Sequence, residues 1–300
     1  MLRTRAPLSP LRPFVKTLWA SDGMADAASS GWRRERVLPT GGMHLVFRLS
    51  EHPLRVYGGS DDLEGREIGL AIVGGSRSSY YLRDVSQPVR SVGAAFHPGA
   101  AGLLLGVPAD ELAERHTPLD ELWGPAAAEL RERLALAGPI ERQLDAFEAL
   151  LAARLPRVRG LHPAVAGALE RLGAGAGLRT AVEESGYSRR RFIELFRGAV
   201  GLSPKRYCRV IRFQSALARV AARRAASWVD VALAAGYSDQ PHFNRDFREF
   251  SGISPGRYRE LGPRFPQHVP IPEAGRSNSF KTRCSGAARL EASHSPGDRP

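Results

Sequence analysis

The spacing of apolar residues changes along the chain, and the changes mark its parts. Up to about residue 96 apolar and polar positions alternate. HLVFRLS (44–50) sets Leu45, Phe47 and Leu49 on one face, the period of a half-buried strand. IGLAIV (68–73), SYYLRDV (79–85) and VRSVGAAF (89–96) predict further strands, separated by Gly-Gly-Ser at 58–60 and 74–76 and by Pro88. After His97-Pro98-Gly99 the spacing becomes helical. Pro139 precedes IERQLDAFEALLAARL, in which Ile140, Leu144, Phe147 and Leu151 form one apolar stripe. That stripe suits packing against the sheet, and it also suits a dimer seam. Residues 156–163 read as a link, and 163–262 reads as helix throughout. From 263 onward scattered Pro, Gly and Ser show no periodicity, the pattern of a disordered tail. The expected fold is α+β: a β-rich domain with trailing helices over 1–160, an all-α domain over 161–262, and a disordered tail over 263–300.

The helical third contains an internal repeat. GYSRRRFIELFRGAVGLSPKRY (186–207) and GYSDQPHFNRDFREFSGISPGRYR (236–259) share Gly, Tyr, Ser, two Phe, Arg and a Gly-x-Ser-Pro turn in the same order. The offset is 50 residues at the start and 51 after one inserted residue. Each unit reads as a short helix stopped at Gly186 or Gly236, then Ser188 or Ser238 as the cap of a second helix. That is a helix-turn-helix. Phe192 and Phe196, like Phe243 and Phe247, stand four apart and face inward together. The opposite face carries Arg190, Glu194 and Arg197 around Ile193 in the first copy. In the second it carries Gln240, Asn244, Arg245 and Arg248. Such side chains hydrogen-bond base edges and phosphates from within a major groove. The segment 203–224 predicts a connecting helix ~30 Å long at 1.5 Å per residue, close to the ~34 Å between successive major-groove faces.

Over 163–260 this doubled GYS…F…FR…G(L/I)SP…Y pattern resembles the AraC/XylS class of bacterial transcription regulators. Pro241 and Val182 depart from the small residues usual there. Residues 38–49 and 96–124 are similar to the sensor domain that precedes such pairs in one-component regulators. The resemblance implies base contacts by Arg189, Arg190, Ile193 and Glu194 in the first copy and by Gln240, Asn244 and Arg245 in the second. Phosphate contacts are expected from Ser188, Arg197, Lys205, Arg206, Arg209, Arg212, Ser238, Arg248 and Arg257. It also implies double-stranded promoter or operator DNA as the partner, a small-molecule effector or homodimerisation through the N-terminal domain, and RNA polymerase as a partner if the protein activates. No effector residues are identified.

Charge sharpens this reading. The chain has 300 residues and a formal charge of +12. Residues 161–262 carry 17 basic and 9 acidic residues, whereas 1–160 carry 20 and 19. An anionic partner is therefore expected for the second part. The 40 Arg against 3 Lys are spread over both parts and carry no signal. Two cysteines make no disulfide framework or thiolate zinc module. The N-terminus lacks the apolar core of a signal peptide, and no run approaches a membrane span, so a cytoplasmic protein without membrane contact is expected. No cofactor, metal site or enzymatic activity is expected. His44, His52, His97 and His116 form no local ligand pair, and His97 and His116 read as loop or cap residues. Two alternatives stand beside regulation: a non-specific architectural DNA binder, and an enzymatic or metal-binding N-terminal domain fused to a DNA-binding module.

Overall fold

The computed structural model describes residues 1–23, 32–157, 160–222 and 226–272. Its strands are β1 (Leu2–Arg5), β2 (Val15–Ser21), β3 (Arg34–Val37), β4 (His44–Arg48), β5 (Leu54–Tyr57), β6 (Arg66–Gly69), β7 (Ala71–Gly74), β8 (Tyr81–Asp84), β9 (Ser91–Phe96), β10 (His116–Pro118) and β11 (His268–Pro270). They pair antiparallel into two sheets, in the orders β1-β2-β9-β4-β7-β10 and β11-β3-β8-β5-β6. Helix α1 (Ala101–Leu105) follows β9, and α2 (Asp120–Trp123), α3 (Ala126–Leu136) and α4 (Ile140–Ala153) follow β10. Then come α5 (Pro163–Gly173), α6 (Leu178–Glu184), α7 (Arg189–Val200), α8 (Pro204–Ala222), α9 (Trp228–Ala234), α10 (Gln240–Ser251) and α11 (Pro255–Leu261). The fold is α+β: a β-rich part of two antiparallel sheets, then a helical part.

The alternation at 44–50 behaves as its period requires. Leu45 and Phe47 are fully buried, and His44, Val46 and Arg48 are half-buried. Leu45, Phe47, Val73, Val92 and Ala94 form one face of the first sheet, and α4 covers it with Leu144, Phe147 and Leu151. Phe47 and Phe147 meet edge to face at 5.8 Å. The apolar stripe of α4 is therefore consumed by packing on the sheet rather than by a dimer seam.

Three expectations need correction. The run 68–73 is two strands, broken at Leu70, because the chain there passes from the second sheet to the first. His116 is a strand residue, not a loop or cap residue, and pairs with Gly74. The stretch from 263 is not wholly unstructured, since β11 pairs with β3 in the register His268↔Val37 and Pro270↔Glu35. The Leu38 N–H donates to Gln267 O and the Ile271 N–H to Arg34 O, and Val269 is fully buried against the helical core. An edge strand with open N–H and C=O groups recruits a partner strand, here from the far end of the chain. Residues 273–300 of the expected tail lie outside the described residues.

The helical core is aromatic. Phe192, Phe196, Phe213, Phe243, Phe247 and Phe250 are all fully buried. Across it α8 grips α10: Arg209 Nη2 donates to Asp246 Oδ1 at 2.7 Å and also pairs with Glu249, while Arg206 Nη1 reaches Glu249 at 2.6 Å. Asp246 is only 1% exposed.

Phe147→Ala should cost ~3–5 kcal/mol of unfolding free energy in urea, because the sheet face can only partly collapse onto the space. A loss under ~1 kcal/mol would contradict its keystone position. Arg209→Met should cost ~3 kcal/mol by the same measurement, since it strands the buried Asp246 carboxylate. An unchanged midpoint would show that Asp246 finds another partner.

Candidate nucleic-acid interface

Both second helices of the repeat begin with a side-chain cap, but the caps are not equivalent residues. Ser188 Oγ accepts the Arg191 N–H at 3.3 Å to start α7. At α10 the cap is Asp239, not Ser238: its Oδ1 accepts the His242 N–H at 2.7 Å, and Ser238 Oγ donates to its other oxygen. The inserted residue of the second copy moves Asp239 into the slot that Ser188 fills in the first. A carboxylate suits the positive end of a helix, and the His242 N–H holds the Asp239 carboxyl below its ordinary pKa. Gly186 and Gly236, at φ +72° and +85°, make the left-handed stops of the preceding turns.

With the phenylalanines turned inward, the remaining faces of α7 and α10 reach solvent. On α7, Arg189, Arg190, Glu194 and Arg197 are exposed, while Ile193 is half-buried and packs on the core. On α10, Arg245 and Arg248 are exposed and Gln240 and Asn244 are half-buried. All seven expected base-contact residues thus lie on these two helices, with Ile193 withdrawn furthest toward packing.

Their charges are not equally available. Arg190 Nε pairs with Glu194 at 3.1 Å, and Arg191 approaches the same carboxylate at 3.5 Å. Arg197 lies 3.8 Å from Asp110, on a short turn in the β-rich part. Arg206 and Arg209, expected at phosphates, are drawn inward by Glu249 and Asp246. Arg257 pairs with Glu260 at 3.0 Å, and the Arg212 guanidinium stands 5.3 Å from the Tyr237 ring centroid. Ser188 and Ser238 sit at the helix starts, Ser188 committed to its cap. Arg189, Lys205, Arg245 and Arg248 are exposed and make no ion pair among the described residues. The clamp has one trace in the sequence: Arg206 and Arg209 share the three-residue spacing of Asp246 and Glu249.

The helix-turn-helix units also rest on the β-rich part, through equivalent glycines. A Cβ at Gly201 would lie 2.1 Å from Ser76 Oγ, and one at Gly252 would lie 2.5 Å from the Tyr80 ring. Both glycines have positive φ, +86° and +70°, and end α7 and α10. The loop between β7 and β8 therefore touches both units. Gln214 on α8 adds a hydrogen bond to Pro39 O at 2.6 Å.

Among the described residues no group of His, Cys, Asp and Glu could hold a metal ion, and no helix is long and apolar enough to cross a membrane.

Comparison with known proteins follows the same division. Residues 181–261 match a family described as a helix-turn-helix domain, and residues 3–118 match a domain of unknown function (DUF6597). An uncharacterized HTH-type transcriptional regulator of Haemophilus influenzae is 36% identical over 73 residues, 24% of each chain. The HTH-type transcriptional regulator MtrA of Neisseria gonorrhoeae is 33% identical over 81 residues, 27% of each. The match spans about a quarter of the length of these relatives. Among solved structures, ToxT from Vibrio cholerae aligns over 76% of this chain and 93% of its own, at 11% identity and a TM-score of 0.41. The repeated, capped units over residues 181–261 form a helix-turn-helix domain.

Proposed function

We propose that the chain is a sequence-specific DNA-binding transcription regulator, which sets α7 and α10 into two successive major grooves of a promoter. The observation that carries this reading is the pair of equal helices, 12 residues each, whose aromatic faces are buried and whose outer faces hold cations without ion pairs. Helix α8, with 19 residues, is ~28 Å long at 1.5 Å per residue and separates the two units by nearly one groove repeat. Arg245 and Asn244 are the strongest candidates for base edges, with Arg189 and Gln240 at the helix starts. Lys205 and Arg248 fit phosphates better than Arg206 and Arg209, whose charges are neutralised within the domain. Residues 1–160 act as the regulatory half, through a small effector, through pairing of two copies, or both. RNA polymerase is a partner if the protein activates.

Selection of bound sites from a random duplex library tests the reading. A defined motif is expected, whereas a flat preference with steep salt dependence would turn the reading toward an architectural binder. On the selected site Arg245→Ala should weaken binding by ~1–3 kcal/mol and relax the preference at one base pair, while Lys205→Ala should weaken all sequences alike. Equal loss for Arg245→Ala on every sequence would exclude base reading by that residue.

A further inference from the structure

The two sheets have a second pair of faces that the helices do not use. The Tyr81 ring on β8 meets the His116 ring on β10 edge to face, with centroids 4.4 Å apart. These faces of the two sheets therefore look at each other. Alternation and register place His44 and Arg48 with His116 on the first sheet, and Glu35 and Arg83 with Tyr81 on the second. Facing sheets ordinarily interdigitate into a dry core. Here Leu54, Ile68 and Ile72 make a small dry cluster between the sheets, but the polar residues just named, His116 apart, are only half-buried, while Leu45, Phe47, Val73 and Val92 on the outer face are at 0% exposure. Gly74 lets the His44 ring lie directly against the sheet: a Cβ there would lie 2.1 Å from that ring.

Charge is concentrated between the sheets. Arg48, Arg77 and Arg83 gather there, and Glu35 answers Arg83 and His268. Asp84 and Glu114 favour the charged forms of Arg48 and Arg77 from a distance, but their direct contacts are to neutral donors, Asp84 accepting from Tyr57 and Ser86 and Glu114 from Ser78. Burial and the surrounding arginines hold the His116 imidazole neutral, with its pKa lowered to about 2, and that of His44 lowered to about 4.

Two buried donors there lack a partner among the described residues. Arg77 Nη2 lies 3.3 Å from His116 Nδ1. A guanidinium only donates, so Nδ1 accepts and the proton of this neutral ring sits on Nε2. His116 is 5% exposed, and its Nε2 has no hydrogen-bond partner among the described residues. The same holds for the buried Nε of Arg77, whose guanidinium stands 5.0 Å over the Tyr81 ring. Buried donors are ordinarily matched, and charge-assisted partners are the strongest match for a guanidinium.

We propose that this face binds a small molecule through a carboxylate or phosphate group, seated on Arg77 and the Nε2–H of His116 beside Tyr81. The proposal rests on reading residues 1–160 as the regulatory half. Its position explains how binding would be felt elsewhere. Arg77 lies in the loop whose neighbours Ser76 and Tyr80 abut Gly201 and Gly252, so an oxyanion held by Arg77 bears on both helix-turn-helix units at once.

The test is calorimetric titration of the full chain, without DNA, with orthophosphate, succinate and benzoate at fixed ionic strength in chloride. At least one should saturate with a Kd below ~1 mM. The three probes separate a phosphate site from a carboxylate site. Affinity should fall at least ~tenfold in Arg77→Gln and in His116→Phe, and stay unchanged in Arg133→Gln on the exposed surface of α3. Circular dichroism monitors folding; if Arg77→Gln does not fold, Arg77→Lys replaces it and should show the same loss, since an ammonium cannot supply the guanidinium's fork of donors. Saturation by none of the probes, or equal affinity in the Arg77 and His116 variants, would overturn the proposal. DNA binding by the unliganded chain is measured separately. Its absence would count against the regulator reading, and the oxyanion site would still stand or fall on the titration.

Discussion

Two phenylalanines four residues apart on a helix cannot both stay in water, and the helical half is organised by that constraint. Phe192 with Phe196, and Phe243 with Phe247, turn one side of α7 and of α10 into a shared aromatic core. Burying a side chain of this size stabilises by ~1.5–3 kcal/mol, so rotation of either helix about its axis is strongly opposed. The polar side is then left outward by elimination. The side chains suited to meet DNA are aimed by the residues that never meet it.

The charged groups follow from that geometry. The segment 161–262 has a net charge of +8, but part of its basic character is paired within the domain. Arg209 and Arg206 hold α10 against α8 through Asp246 and Glu249, and Arg190 is answered by Glu194 along its own helix. Among the described residues of this segment, those left exposed and without an ion pair are Arg189, Lys205, Arg219, Arg245 and Arg248. A count of basic residues thus overstates the cationic surface, and the ion-pair geometry corrects it.

The repeat, the glycine stops and the inward phenylalanines were legible in the sequence because each depends on residues close in the chain. The strand at 44–48 was legible for the same reason. Other features depend on distant partners and left no local trace. Strand β11 forms because the edge of β3 is open, which nothing between 263 and 272 reveals. His116 sits before Thr117-Pro118 and reads as a loop, yet its strand is defined by β7, some 40 residues earlier. The cap at Asp239 does have a local trace, since the one-residue insertion in the second copy shifts Asp239 into the capping slot. The face between the sheets was invisible because its groups come from several strands, with no spacing to mark them.

Strand β11 also has a consequence for the order in which the molecule can be finished. The second sheet begins with residues near 35 and is closed by residues 268–270. During synthesis the β-rich part emerges first, yet its edge at β3 stays bare until the ribosome has added more than 200 further residues and they have cleared the exit tunnel. For that interval the nascent chain carries an unpaired strand edge, the kind of surface that neighbouring chains join. The last described strand is thus a late seal on the first-made domain, and a chain that stops short of it leaves that domain open.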